Sequence, residues 1–331
     1  MSNAAVKVRP VAGKKMVLAA VLCASSLLCA GPSSLQAKGS HDIWTAAAPL
    51  PSALTWTAAA VLKNKIYVMG GINSSQVQVA TTEIYDPATN SWSAGASLPK
   101  PIFGAAAAVA HNTLYLIGGY TADQVSTNAV WAFNAKKNKW LAVAPMLTAQ
   151  GSARAVVFND VIYVIGGNAI PQYRIATVES YDPVSDSWTN QPSLLAGKSE
   201  LSAGLIGNTI VAADGYTASA DTGDNESWIV GDPSWSALPS DPVLRNGACA
   251  GAIGKNLYAA GGNASNGDVL VSDTESFALK KKKWAALAAM PTPATDTSSV
   301  VYNKQLFCIG GGSSGAPFTG SAYANVQVYT P

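Results

Sequence analysis

Residues 57–71 read Thr57-Ala-Ala-Ala-Val-Leu-Lys-Asn-Lys-Ile-Tyr-Val-Met-Gly-Gly71, and this stretch decides the fold. Two apolar runs flank the polar pair Lys63-Asn64, the pattern of a hairpin, and a double glycine ends the second run. The turn pair returns as His111-Asn112, Asn159-Asp160, Gly207-Asn208, Gly254-Lys255 and Asn303-Lys304. Asn, Asp and Gly tolerate the positive φ that tight hairpin turns require, so this composition has a mechanical cause. After Gly70-Gly71 the double glycine recurs as Gly118-Gly119, Gly166-Gly167, the variant Asp214-Gly215, Gly261-Gly262 and Gly310-Gly311. A side chain there would obstruct the chain or demand a forbidden backbone angle.

A third run follows each double glycine. It reads Glu83-Ile-Tyr85-Asp86-Pro87 in the first repeat, with echoes at Glu179-Ser-Tyr181-Asp182-Pro183, Glu275-Ser-Phe277 and, more loosely, Glu226-Ser-Trp228. Asp-Pro turns the chain into a fourth run that carries a tryptophan. These are Trp44, Trp92, Trp140, Trp188, Trp235 and Trp284, spaced by 48, 48, 48, 47 and 49 residues. A tryptophan at the same place in every repeat is expected to be core packing rather than a sugar platform. A period near 50 built from four short strands, A to D, implies one propeller blade per repeat. The expected fold is all-β: a six-bladed β-propeller of four-stranded antiparallel blades.

The hydrophobic strand, Tyr-Val-Met-Gly-Gly, Tyr-Asp-Pro and then Trp together resemble the kelch motif, repeated six times over residues 41–331. The resemblance implies a propeller with strand A lining the central channel and strand D outermost. Departures are local: Phe133-Asn134-Ala135 stands for Tyr-Asp-Pro, and Asp214 for a first glycine. Blades are expected at about 52–96, 100–144, 148–192, 196–239, 243–288 and 292–331. Residues 41–51 form a lone D strand, while the last repeat stops after strand C. The N-terminal strand is therefore expected to complete the last blade and leave no open edge.

Residues 1–37 differ from the rest. Lys7, Arg9, Lys14 and Lys15 precede an apolar run from Met16 to Ala30, followed by small residues, as in an export signal. The propeller then occupies 38–331, secreted or periplasmic, with no membrane span after cleavage and as a monomer. Removing the leader leaves 17 basic and 19 acidic residues, a net charge of −2, which argues against nucleic acid as a partner. Of the cysteines beyond it, Cys249 and Cys308, a bridge is chemically allowed, but two lone cysteines in a β core are expected to be small buried hydrophobes.

The chemistry available is sparse. The only histidines, His41 and His111, support neither a His-rich metal site nor a Ser-His-Asp triad, and no phosphate-binding loop is present. The tyrosine and histidine ligands of kelch-like copper oxidases have no counterpart. No cofactor or metal is expected.

A propeller binds through its loops, and the longer D–A and B–C connections share one end. Their ligand-binding candidates include Tyr120, Tyr173, Arg174 and Tyr216. Sixteen residues before each double glycine, where kelch repeats often place an arginine, stand Leu54, Ile102, Gln150, Lys198, Arg245 and Ala294. Gln150, Lys198 and Arg245 are therefore expected to present a polar, cationic arc to the channel mouth, near Arg154, Glu200 and Asp296. Two functions fit. One is a binding module that engages a protein or glycan through the loop face. The alternative is an enzyme resembling periplasmic kelch mutarotases that act on sialic acid. In it Glu200 or Asp296 would serve as acid or base, and Arg154 or Arg245 would hold the sugar carboxylate.

Overall fold

The A–B hairpins obey the turn chemistry that their sequences carry. Four turns put both central residues at positive φ, as Lys63-Asn64, His111-Asn112, Asn159-Asp160 and Asn303-Lys304 do. In the other two only Gly207 and Gly254 take positive φ. These are the two mirror-image turns whose twist matches that of paired strands. The computed structural model describes residues 41–170, 173–264, 269–314 and 318–331, and the expected leader at 1–37 lies outside the described residues.

Each repeat is one antiparallel sheet in meander order. Blade one runs Ala58–Leu62, Lys65–Met69, Thr82–Asp86 and Ser91–Ala94, and the other five follow it. The inner A strands of blades two to six are Ala106–Ala110, Arg154–Phe158, Ser202–Ile206, Cys249–Ile253 and Ser298–Tyr302. They touch in sequence around the axis, and that of blade six touches that of blade one. In blade six the outer strand is Ile43–Ala46, paired antiparallel with Val326–Thr330 so that Trp44 faces Tyr329. Residues 43–46 and 326–330 thus complete one sheet.

A hydrophobic cluster fills each of the six gaps between neighbouring blades. Each strand D tryptophan packs on the aromatic ring across from it on strand C, as in Tyr85–Trp92, Phe133–Trp140 and Trp44–Tyr329, at ring centroid distances of 5.1, 5.3 and 5.2 Å. Its indole N–H then reaches the preceding blade. Trp92, Trp140, Trp188, Trp235 and Trp284 donate to the carbonyls of Ala48, Ala96, Ala144, Pro192 and Pro239, and Trp44 closes the circle on Ala288, all at 2.8–3.1 Å. Each acceptor lies four residues beyond the preceding tryptophan, so the 48-residue beat is a chain of donors and acceptors. Such bonds contribute about 1 kcal/mol each.

The second residue of each double glycine makes a further inter-blade bond. The N–H groups of Gly71, Gly119, Gly167, Gly215, Gly262 and Gly311 donate to Ile102, Gln150, Lys198, Arg245, Ala294 and Leu54 at 2.8–2.9 Å. The preceding glycine lies against the same carbonyl: a Cβ on Gly70 would stand 2.3 Å from Ile102 O. Gly70 also has φ +63°, so both space and backbone angle exclude a side chain there.

Cys249 and Cys308 are not free hydrophobes as expected. They form a disulfide with Cα atoms 5.6 Å apart, joining strand A of blade five to strand B of blade six. The bridge spans 59 residues, a loop whose closure removes up to about 4 kcal/mol of unfolded-state entropy in the chain-entropy account.

Deleting residues 41–51 strips blade six of its outer strand, the Trp44 bond and the Asp42 contacts. The melting temperature, followed by circular dichroism, is expected to fall by more than about 5 °C, the equivalent of a few kcal/mol in a chain of this size. An unchanged value would mean that the ring closes without this strand.

Candidate functional site

Fourteen residues before each double glycine stand Trp56, Gly104, Ser152, Glu200, Gly247 and Asp296. All six have left-handed backbone, with φ between +53° and +64°. Their peptides form a closed circle at the loop end of the channel. Gly104 donates to Trp56, Ser152 to Gly104, Glu200 to Ser152, Gly247 to Glu200, Asp296 to Gly247 and Trp56 to Asp296, at 2.8–3.2 Å. The circle satisfies twelve backbone groups at once, which sustains left-handed backbone in four residues that are not glycine.

The side chains on this circle line an axial recess together with Thr57, Ala105, Ala153, Arg154 and Thr297. Traced by water centres its volume is about 60 Å³, room for about four or five waters. Trp56 of blade one and Glu200 of blade four stand on opposite sides. The Trp56 indole N–H has no acceptor among the described residues. It belongs to an aromatic group with Phe103, Tyr120 and Phe318, where Phe103 lies 5.0 Å from Tyr120 and 5.4 Å from Phe318 between ring centroids. Tyr120 O–H donates to Ser152 Oγ at 3.1 Å.

The other side is polar. Burial pushes the Glu200 carboxyl up to about 7, and nearby Asp221 adds to this while Arg174 and Arg154 pull the other way. Asp296 is raised well above the usual carboxylate range by burial and then by the charge of Glu200. It accepts a hydrogen bond from Thr295 Oγ1 at 3.2 Å, which itself accepts one from Asn263 Nδ2 at 2.6 Å. Arg174 stacks over Tyr216, 4.3 Å from the ring centroid, and Tyr173 lies exposed beside it at 6.0 Å. The loops of blades two to four thus bring Tyr120, Arg174 and Tyr216 around the mouth.

Arg154 closes the floor. Its Nε donates to Leu201 O at 2.8 Å, Nη2 to Ala248 O at 2.7 Å and Nη1 to Ser299 Oγ at 3.2 Å, so one side chain from blade three ties blades four, five and six. Below it the channel is lined mainly by alanines, among them Ala59, Ala107, Ala155 and Ala203. Three of Arg154's five N–H groups are engaged among the described residues.

The cationic arc expected from Gln150, Lys198 and Arg245 is corrected by the structure. All three side chains turn into the blades and are 1%, 1% and 0% exposed. Lys198 Nζ pairs with Glu226 at 2.9 Å and donates to Asp224 O at 3.0 Å. Arg245 is held by Glu275, with Asp241 3.7 Å away and the carbonyls of Gly261 and Asp273 as further acceptors. Around it burial raises Asp214, Asp241 and Glu275, the last to about 7. These are interior ion pairs at strand mouths, so Arg245 does not join Arg154, Glu200 and Asp296 in the recess. Trp56 and Ser152, absent from the sequence candidates, do. Among the described residues no group of three or more His, Cys, Asp and Glu side chains gathers to hold a metal ion.

A family model described as the KLHDC2/KLHL20/DRC7 Kelch-repeats domain matches residues 37–215. Among solved structures, the one titled "Structure of YjhT" matches with a TM-score of 0.71 at 18% identity, over 84% of this chain and 95% of that one. That likeness is one of fold. Curated protein sequences contain no significant match.

Two outcomes follow from this geometry. Lys198→Ala leaves Glu226 buried and unpaired, and is expected to cost about 3–5 kcal/mol in urea unfolding; Lys198→Met combined with Glu226→Gln recovers most of it. Folded Glu200 keeps its proton up to about pH 7, whereas an unfolded glutamate releases it near 4.5. The native state therefore binds more protons in that window, and stability falls as pH rises through it. Glu200→Gln is expected to flatten that fall by on the order of 2 kcal/mol between pH 5 and 8, discounted for partial solvent exposure.

Proposed function

This chain belongs to the kelch-repeat family, and on that premise we propose that it is an exported binding module whose axial recess takes the terminal ring of a glycan. One observation carries the reading: a single recess sets Trp56 across from Glu200, with Ser152 and Asp296 between them on the ring. A sugar ring has an apolar C–H face for an indole and hydroxyls for carboxyl and hydroxyl partners. The recess volume admits an edge or face of one such ring, the rest lying in the open mouth, and is too small for a protein segment. A carboxyl group kept protonated both donates and accepts, as a sugar hydroxyl requires. Export is supported by the basic-then-apolar leader and by the Cys249–Cys308 bridge, since disulfides persist in oxidising compartments.

The raised carboxyls favour a second reading, in which Glu200 and Asp296 exchange the anomers of the bound sugar. An anionic Glu200 would take the proton of the anomeric hydroxyl while a protonated Asp296 gives one to the ring oxygen. The ring opens, and reclosure on the other carbonyl face returns both protons.

Calorimetric titration with a panel of neutral, amino and acidic monosaccharides tests the binding. At least one is expected to bind, with affinity lowered about tenfold or more in Trp56→Ala and Asp296→Asn. If no sugar binds, the reading fails. Anomer exchange followed by nuclear magnetic resonance separates the two: acceleration lost in Glu200→Gln and Asp296→Asn establishes the enzyme, and exchange no faster than buffer leaves binding alone.

A further inference from the structure

The two ends of the propeller carry opposite charge. Among the described residues, every basic side chain on the A–B and C–D turns is an exposed lysine, apart from His111, whereas every arginine lies toward the loop end. The lysines are not spread evenly. Lys255 and Lys280–Lys283 belong to blade five and Lys304 to blade six, then Lys63 and Lys65 to blade one, and Lys136, Lys137 and Lys139 to blade two. These four blades are consecutive through the point of ring closure. Of the eleven lysines only Lys65 makes an ion pair among the described residues, with Asp86 at 2.8 Å.

The aspartates of the same end sit elsewhere or are occupied. Asp160, Asp182, Asp186 and Asp232 are on blades three and four. Asp42 accepts from Tyr329 O–H and Ala288 N–H at 2.7 and 2.9 Å. At the loop end twelve acidic side chains face five basic ones among the described residues. Lys198 and Arg245 are buried in pairs with Glu226 and Glu275, burial raises Glu200, Asp214, Asp241 and Asp296 towards the neutral form, and the exposed acidic charge is that of Asp123, Asp224 and Asp273. In the middle of the lysine crescent, the gap between blades six and one opens into a cleft of about 420 Å³ as traced by water centres. Its walls include Tyr85, Pro87, Tyr302, Phe307 and Val328.

We propose that the turn end docks on the surface of a bilayer rich in anionic lipids, through the lysine crescent and the aromatic cleft at its centre. Short turns on four blades set ammonium groups in a broad layer, which suits the diffuse charge of a membrane. Lysine is a point charge without the bidentate fork by which arginine selects one carboxylate or phosphate. Half-buried Tyr302 places an apolar ring and a polar tip at the depth of headgroups, buried Tyr85 and Phe307 form the apolar back of the cleft, and the cleft is large enough for part of an acyl chain. Repulsion of the acidic loop end orients the propeller with its axial recess facing away from the membrane.

Flotation of the purified protein with phosphatidylcholine vesicles, with and without phosphatidylglycerol, tests this. Binding is expected only to the anionic vesicles and is lost at high salt. Combining Lys136→Ala, Lys137→Ala, Lys280→Ala and Lys281→Ala is expected to lower partitioning on the order of a hundredfold or more, with an unchanged melting temperature. The four corresponding arginine replacements keep it, and so does Lys100→Ala at the loop end. No flotation with phosphatidylglycerol at low salt overturns the proposal, as does equal binding by the fourfold alanine variant. Retention on dextran sulfate without vesicle binding replaces the membrane with a soluble polyanion.

Discussion

A backbone N–H that reaches the carbonyl of the next blade sets the geometry on which the rest depends. At every junction the second residue of the double glycine makes this bond, at 2.8–2.9 Å. Strands of one sheet lie about 4.8 Å apart, but blades are separated by side chains, so at this depth main chains come into direct contact where glycine leaves room for them. That contact fixes how far strand A of the next blade stands from the axis. The left-handed residue two places beyond the accepting carbonyl can then reach its neighbours, and the circle around the channel closes. The recess is a by-product of that circle, because a left-handed residue turns its side chain toward the axis.

Asp214 is the one departure from glycine at the first position of the pair. It takes the left-handed backbone, with φ +58°, and its side chain is fully buried beside Asp241 and Arg245. The junction of blades four and five keeps the Gly215 N–H to Arg245 O bond and adds buried carboxyls beside the Arg245 guanidinium. Burying three carboxyl groups around one guanidinium is costly unless some carry protons, which is why their proton affinities rise.

Much of the fold was legible because each blade writes the same contacts in the same residues: glycine where main chains touch, tryptophan where an indole must reach a carbonyl, Asn or Gly where a hairpin needs positive φ. The site was legible only in part. Counting sixteen residues back from each double glycine located the strand mouth, but Lys198 and Arg245 there point into the blades. The left-handed residue two places later breaks the period-two alternation by which facing is read from a strand. A signal did exist: the positions of Trp56, Gly104, Ser152, Glu200, Gly247 and Asp296 hold two glycines and no β-branched residue, as a left-handed site demands. The pairing of Cys249 with Cys308 was out of reach, because strand order says which blades adjoin but not which side chains meet across the gap.

The outer strand of blade six has a consequence in time. Ile43–Ala46 is among the first of the propeller residues to be synthesised, and its partner Val326–Thr330 is the last strand. A terminal pairing across nearly the whole chain is the least local contact this topology contains, and loop-closure entropy makes such contacts late. Five blades can condense one after another from the emerging chain, each on its predecessor, while the sixth waits for a strand left behind at the start. Until then blades one and six each expose an apolar flank, and the nascent propeller is an open arc with the stickiness of an unfinished edge.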